Sequence, residues 1–442
     1  MRRYDNYIET NVQWLGKQPI NWKIVRGKDL FFEKSKKGYP NLPLLAASQK
    51  QGVVLKEMLE SRSMEALKDF ENFKKVDISD FVISLRSFQG GIETAYYNGI
   101  ISPAYTVFNF RTKNNFTRFF THIFKSVNFI KFLQNSITGI RDGQSIKFKE
   151  IQNTFFALPS FHEQQAIANF LDAKTQAIDK KVSLLEQKIE TYKKLKNTII
   201  AKAVTQGIVY QELSINDLGF KTPENWTKCR LKDLGKLYSG LSGKSGDDFN
   251  QDDNPNNRGF IPFTNIANNT YLKKDHLGTV AIGPGERQNK VRKGDLFFLM
   301  SSEGYGDIGK TAVLADDIDE AYLNSFCKGY RINQNKCNPY FLNYLLLSNI
   351  YRQRLLVEGK GFTRINLKME KVTDFEIFIP SSVSEQEEIA TYLDQKTAII
   401  DAIIGNVGRQ METLQQLRKT LINDVVTGKI MVAEQNNYAL TN

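Results

Sequence analysis

Pro159-Ser160-Phe161-His162-Glu163-Gln164-Gln165-Ala166-Ile167-Ala168 runs into Phe170-Leu171-Asp172, Lys174-Thr175 and Ile178-Asp179. The same signature returns as Pro380-Ser381, Glu385-Gln386, Ile389-Ala390, Leu393-Asp394, Lys396-Thr397 and Ile400-Asp401. From Glu163 to Glu385 the offset is 222 residues, and it holds without a gap to Ile208 and Ile430. A period of about half the chain is far longer than that of a solenoid and marks an internal duplication. A second match opens each half: Pro19-x-Asn21-Trp22 with Arg26 and Lys28-Asp29-Leu30 is paired with Pro223-x-Asn225-Trp226, Arg230 and Lys232-Asp233-Leu234. That offset is 204 residues, so the intervening stretch is 18 residues longer in the second half. Between the landmarks the likeness falls to hints, such as Asp80-Phe81-Val82-Ile83 beside Asp295-Leu296-Phe297-Phe298, both read as strands.

From Glu163 to Val204 there is no Gly or Pro, and apolar residues fall on a heptad: Leu171, Ile178, Leu185, Tyr192 and Ile199, with Val182, Ile189 and Ala203 at the partner position. The second copy repeats the phase with Leu393, Ile400, Val407, Leu414 and Leu421, seconded by Ile404, Met411 and Val425. Thr175 and Thr397, and Lys196 and Arg418, interrupt the seam at matching places; a buried charge is tolerable there only if it snorkels, pairs with an acid or fixes register. Two such helices in one chain pack best on each other as an antiparallel pair, which would place the two globular domains at opposite ends of a rod, related by a pseudo-twofold axis, the local symmetry of duplex DNA.

The expected fold is therefore α+β: two recognition domains of small sheets with flanking helices, bridged by two long antiparallel coiled-coil helices. The expected boundaries are 1–158 and 209–378 for the globular domains, 159–208 and 379–432 for the helical regions, and 433–442 for a flexible tail. Among 442 residues, 41% are hydrophobic, enough for more than one core. The 60 Lys and Arg against 48 acids leave a formal charge of +12, which favours a polyanionic partner through counterion release.

Several chemistries find no footing. Cys229, Cys327 and Cys337 form no CxxC pair, and His122, His162 and His276 are scattered, so neither a metal cluster nor a catalytic triad is expected. The start of the chain lacks the apolar run of a signal peptide, and Tyr340–Tyr351 is too short and polar to span a bilayer, which points to the cytoplasm. Gly304-Tyr305-Gly306-Asp307-Ile308-Gly309-Lys310-Thr311 does satisfy the phosphate-loop spacing, so a nucleotide hydrolase is the rival enzyme reading. That cradle needs a helix after it, whereas Ala312-Val313-Leu314-Ala315 reads as a strand. No adenine-methyltransferase N-P-P-[FY] or D-P-P-[FY] motif occurs, and a third reading, a coiled-coil scaffold that binds no DNA, also stays open.

The doubled arrangement of P-x-x-W openings and P-S, E-Q, I-A, L-D, I-D helix starts resembles the specificity subunits of type I restriction–modification systems, over about Trp14 to Ile430. The resemblance implies a non-catalytic protein that binds a bipartite duplex DNA site, with one half-site per recognition domain and a spacer set by the helices. It implies docking of modification (methyltransferase) subunits, two by expectation, on the helices, and recruitment of restriction (translocase and nuclease) subunits. S-adenosylmethionine, ATP and Mg would sit on those partners, with no cofactor, metal or catalytic residue in this chain.

Base readers should be polar, cationic or aromatic side chains on Gly-bearing loops. In the first half the candidates are Lys34, Lys36, Lys37 and Tyr39; Arg86, Ser87 and Gln89; and Arg141 and Gln144. In the second half they are Lys244; Ser301, Ser302 and Tyr305; and Lys360, Thr363 and Arg364. The lysines of the first helix, among them Lys180, Lys181, Lys188, Lys193 and Lys194, read more simply as a solvated face.

Overall fold

A computed structural model describes residues 2–12, 14–59, 69–85, 87–135, 146–251, 253–361 and 363–432. The chain forms two compact units: unit 1 comprises Met1–Glu186 with Gly408–Asn442, and unit 2 comprises Gln187–Val407.

Unit 1 is built on a four-stranded antiparallel sheet. Its strands are β1 (Phe31–Lys34), β2 (Phe81–Ile83), β3 (Glu93–Thr94) and β4 (Thr106–Phe110), in the order β1-β4-β2-β3. Apolar residues face the helices Thr117–Phe124 and Val127–Asn135, and phenylalanine is the commonest residue of the core. Phe31 stands edge-on to Phe108 at 5.3 Å and Phe81 edge-on to Phe124 at 4.9 Å, the geometry that the ring quadrupole favours.

Unit 2 follows the same plan with one strand more. Here β5 (Gly235–Ser239), β6 (Tyr271–Leu272), β7 (Leu296–Leu299), β8 (Thr311–Leu314) and β9 (Cys327–Ile332) lie in the order β5-β9-β7-β8-β6. Removing the added parallel edge strand β6 leaves β5-β9-β7-β8, the order of unit 1 strand for strand. The two stretches that looked alike in sequence, after Asp80 and after Asp295, are the equivalent strands β2 and β7.

Those two aspartates explain why the likeness survives there. Asp80 is fully buried and accepts from Lys34 Nζ at 2.5 Å, Asn109 Nδ2 at 2.5 Å and the Asp77 amide at 2.8 Å. Asp295, 2% exposed, accepts from Tyr238 Oη at 2.6 Å, Arg331 Nη2 at 2.7 Å and the Arg292 amide at 2.9 Å. In both units the donors come from the first strand of the sheet and from the strand beside the aspartate's own, but their chemistry differs. A buried carboxylate needs such partners, and each unit supplies its own set.

Two long helices carry the repeated signature: α1 (Phe161–Gln206) and α2 (Val383–Val426). Each unit holds one half of each helix. Along α1, Leu171, Ile178, Leu185, Tyr192 and Ile199 are buried or half-buried, and so are Leu393, Ile400, Val407, Leu414 and Leu421 along α2. In unit 1, Ile167, Ala168 and Leu171 share a core with Leu421, Ile422, Val425 and Val426, and Asp179 meets Arg418, so the helix segments run antiparallel. In unit 2, Ala203 and Val204 share a core with Ile389, Ala390 and Leu393, and Lys196 meets Asp401, again antiparallel.

The cations that interrupt the seam are therefore paired. Lys196 Nζ lies 2.7 Å from Asp401 Oδ2, and Arg418 Nε lies 2.9 Å from Asp179 Oδ1. The second approach is off the hydrogen-bond axis, since that Nε has no hydrogen-bond partner, and is an ion pair only. The two pairs are the same pair with the helices' roles exchanged, because 222 residues separate both Lys196 from Arg418 and Asp179 from Asp401.

The remaining signature residues fasten each globular part to its helix. Trp22 donates through Nε1 to Glu163 Oε1 at 3.1 Å, and Trp226 to Glu385 Oε1 at 3.1 Å. Gln164 accepts from the Phe116 amide and donates to the Pro159 carbonyl, as Gln386 does with the Asn338 amide and the Pro380 carbonyl. The P-x-x-W opening and the E-Q helix start are thus two ends of one joint. Two turns further on the joint diverges: Asp172 takes His122 Nε2 at 2.7 Å and Arg118, whereas Asp394 takes Tyr271 Oη at 2.6 Å and Tyr344 Oη at 2.7 Å. Burial pushes the Asp172 carboxyl up, but the hydrogen bonds from His122 and Arg118 outweigh it and hold it below the usual range. Burial, with Asp394 beside it, pushes the Tyr344 phenol up to about 12.

Candidate nucleic-acid interface

In unit 1 the strand β1 runs directly into Lys34–Tyr39. Lys34 has a task within the fold: its side chain, 11% exposed, joins Asp77 at 2.8 Å and Asp80 at 2.5 Å. Burial lowers the pKa of its ammonium, but the hydrogen bonds it donates to Asp77 and Asp80 outweigh that and leave it raised. Lys36 and Lys37 are exposed, and the loop lies along the strand Lys74–Val76 through the bond from the Lys75 amide to the Lys36 carbonyl. Tyr39 is exposed, with Lys75 Nζ 5.4 Å from its ring centre.

Beside this loop lies a cavity of about 900 Å³ lined by Lys34, Lys36, Asn109, Arg111, Lys113 and Asn115. The sequence reading passed over Arg111-Thr112-Lys113-Asn114-Asn115; the signal was there, a basic polar run starting where strand β4 ends. Ser87 is buried and holds its own turn, its Oγ accepting from the Ser84 amide at 2.8 Å. Gln89 is exposed on that turn, whose Gly90 carbonyl accepts from Lys125 Nζ at 2.8 Å. Arg86, Arg141 and Gln144 lie outside the described residues.

In unit 2 the candidate loops are drawn together. Ser301 and Ser302 pair antiparallel with Asn366 and Ile365, which sets the segment bearing Ser301, Ser302 and Tyr305 against the one bearing Lys360, Thr363 and Arg364. Tyr305 is 55% exposed, and Lys360, Thr363 and Arg364 are exposed. The start of the Ser239–Ser245 loop meets a turn at Asn324–Cys327: Leu241 donates its amide to the Leu323 carbonyl, and a Cβ on Gly240 would stand 2.2 Å from the Asn324 carbonyl oxygen. Phe326, 51% exposed, joins that turn to the last loop, with the Arg364 guanidinium 5.0 Å from its ring centre. Lys244 stands apart: its side chain is 10% exposed and bonds Glu286 at 2.7 Å. That lysine, with Gln288 and the Gly283 amide, holds the Glu286 carboxyl down at about 2.

The phosphate-loop spacing produces no phosphate cradle. Thr311 begins β8 and donates to Asn343 Oδ1 at 2.7 Å inside the core, while Lys310 Nζ bonds Asp307 Oδ1 at 2.6 Å and the Ala267 carbonyl at 3.1 Å. A strand follows where backbone amides of a helix would be needed. Lys310→Ala should therefore leave ATP binding undetectable before and after the change and cost no more than about 1 kcal/mol, since the Lys310–Asp307 pair is partly solvated. Calorimetric titration with ATP checks this; binding by the parent chain that the substitution abolishes would reinstate the nucleotide reading.

The helix lysines Lys180, Lys181, Lys188, Lys193 and Lys194 are exposed. Among the described residues no group of three or more His, Cys, Asp and Glu could hold a metal ion, and no helix is long and apolar enough to cross a membrane.

Against known proteins, residues 19–193 and 223–408 both match the family described as "Type I restriction modification DNA specificity domain". The chain is 23% identical over 303 residues to the type I restriction enzyme MjaVIII specificity subunit of Methanocaldococcus jannaschii, covering 65% of this chain. It is also 23% identical over 313 residues to the EcoBI specificity subunit of Escherichia coli, covering 67% of this chain. The matched stretches span 65% and 62% of those two relatives' lengths. Among solved structures, a chain from work on "complex assembly and conformational transition of the type I R-M system" superposes with a TM-score of 0.72 at 16% identity, covering 93% of this chain and 99% of that one. The HsdS subunit of Thermoanaerobacter tengcongensis does so with a TM-score of 0.53 at 16% identity, covering 93% of this chain and 98% of that one.

Proposed function

Because this chain belongs to the family of type I restriction–modification DNA specificity proteins, we propose that it reads a split duplex DNA site, one half with each unit, on behalf of catalytic partners. The observation that carries this reading is the pairing of a shared frame with dissimilar loops. Strand order, the buried aspartate before the central strand and the Trp–Glu joint recur in both units. The side chains at the loop ends do not: unit 1 gathers Lys36, Arg111 and Lys113 around a cavity, and unit 2 gathers Tyr305, Phe326 and Arg364. Two different readers on one frame suit a target whose two half-sites differ in sequence.

The long helices are the surface common to both halves of the sequence and are the docking place for modification subunits, two by the symmetry of the repeat; restriction subunits join these. S-adenosylmethionine, ATP and Mg belong to the partners, and this chain contributes recognition without catalysis. The net charge of +12 supplies phosphate affinity, so duplex binding should weaken steeply with salt, which a scaffold that ignores DNA would not show.

Co-expression with the cognate modification subunit, followed by mapping of methylated adenines, tests the proposal. The expected motif has two dissimilar specified blocks separated by unspecified base pairs. A contiguous motif would refute it.

A further inference from the structure

We propose that Arg364, carried on the exposed ring of Phe326, is a guanine-reading side chain of unit 2; the inference rests on the DNA-reading function above. Several cations around the loops of this unit are spent on acids. Lys244 is bound to Glu286, Arg258 and Lys290 to Glu320, Arg331 to Asp295 and Lys310 to Asp307. Arg364 is exposed and, among the described residues, none of its five N–H groups has an acceptor. Its guanidinium lies instead 5.0 Å from the centre of the Phe326 ring. A ring holds a guanidinium by its face and leaves the planar donor edge free, whereas a carboxylate would occupy that edge.

Both members of the pair are held from behind by backbone. The chain closes a tight loop at Lys360 and Asn366, whose amides and carbonyls bond reciprocally at 3.0 and 2.9 Å, and Asn366 Nδ2 donates to the Arg364 carbonyl at 3.1 Å. Gly361, at φ +144, permits the close return: a Cβ there would stand 1.9 Å from the Arg364 carbonyl oxygen. On the other side, the Asn324 side chain accepts from the Phe326 amide at 2.9 Å, and the Asn324 carbonyl accepts from the Cys327 amide at 3.1 Å, where β9 begins. An exposed phenylalanine on a fixed turn leaves apolar surface in water, and its use here is to orient the arginine.

A flat, unpaired, oriented guanidinium at a loop surface matches the two acceptors, O6 and N7, that guanine shows in the major groove. Lysine in its place would keep the charge and lose the fork. A phosphate contact, the competing use of such a cation, needs no ring and carries no base preference.

The test is methylome mapping of the complex formed with the modification subunit, for the parent chain and for Arg364→Ala, Arg364→Lys and Phe326→Leu. In the half-motif that survives replacement of residues 23–158, one position should be guanine for the parent. Arg364→Ala should relax that position, the preference for guanine falling about tenfold or more, with every other position retained. Arg364→Lys should relax it as well, and Phe326→Leu, which keeps the guanidinium but removes the ring that orients it, should relax it less; all three changes lie on the surface. An unchanged motif in Arg364→Ala overturns the proposal, and so does a uniform loss of methylation at all sites, the mark of a phosphate contact. If the parent complex itself shows no bipartite motif, the DNA-reading function falls; if that motif stands and Arg364→Ala leaves it intact, only the assignment of Arg364 falls.

Discussion

Asp295→Ala is expected to destabilise unit 2 by about 1–3 kcal/mol, because it removes a buried acceptor and leaves the half-buried Tyr238 and Arg331 without their partner. The carboxylate is 2% exposed and accepts four hydrogen bonds, from Tyr238 Oη, Arg331 Nε and Nη2 and the Arg292 amide. Arg331 is the costly one, since its hydrogen bonds to Asp295 raise its pKa despite partial burial and its guanidinium also lies 4.9 Å from the centre of the Tyr238 ring. These groups tie β5, β9 and the turn before β7 together, so the damage should be local to the sheet. Hydrogen exchange is the discriminating measurement: the amides of Leu296–Leu299 should lose protection while those of Phe81–Ile83 keep theirs. Asp295→Asn, which keeps volume and some acceptors, should cost less. A loss below about 1 kcal/mol, or equal loss of protection in both strands, would contradict the role given to this residue.

The features legible in the sequence are those written by local periodicity or by duplication. The heptads of α1 and α2 follow from spacing alone, and the equivalence of β2 with β7 showed because both follow a buried aspartate. What spacing does not reveal is which distant side chain lies opposite. Lys34 and Lys244 looked like free loop cations, yet Asp80 and Glu286, 46 and 42 residues away, occupy them. The sheet order was hidden for the same reason: β4 threads between β1 and β2, a pairing with no local signature. The phosphate-loop pattern failed at the level of context, since its Lys310 and Thr311 lead a buried strand. Phe326 escaped notice because an aromatic at the start of a strand reads as core, and only the Asn324 turn turns it outward.

Replacing residues 23–158 with the corresponding segment of another family member should change one half of the methylated motif completely and leave the other half as it was. The cut points follow from the joint: Trp22 and Glu163 remain bonded to each other, and Pro159 keeps its carbonyl on Gln164. Each wrong base pair in a half-site costs about 1–3 kcal/mol, so a reader mismatched at three positions would leave the original half-motif about 3–9 kcal/mol weaker, beyond detection in a methylome. The incoming segment must meet three demands of the helices. It needs an amide for Gln164, as at Phe116, an apolar face for Leu171 and Leu421, and hydrogen-bond donors for Asp172, as at Arg118 and His122. The last demand is lenient in kind, because unit 2 satisfies Asp394 with two tyrosines instead. Segments that bring no donor there would leave a half-buried carboxylate unpaired and should give unstable hybrids, whatever DNA they read. Stable hybrids in which both halves of the motif move would show that the units do not read independently, and the division of labour between them would have to be abandoned.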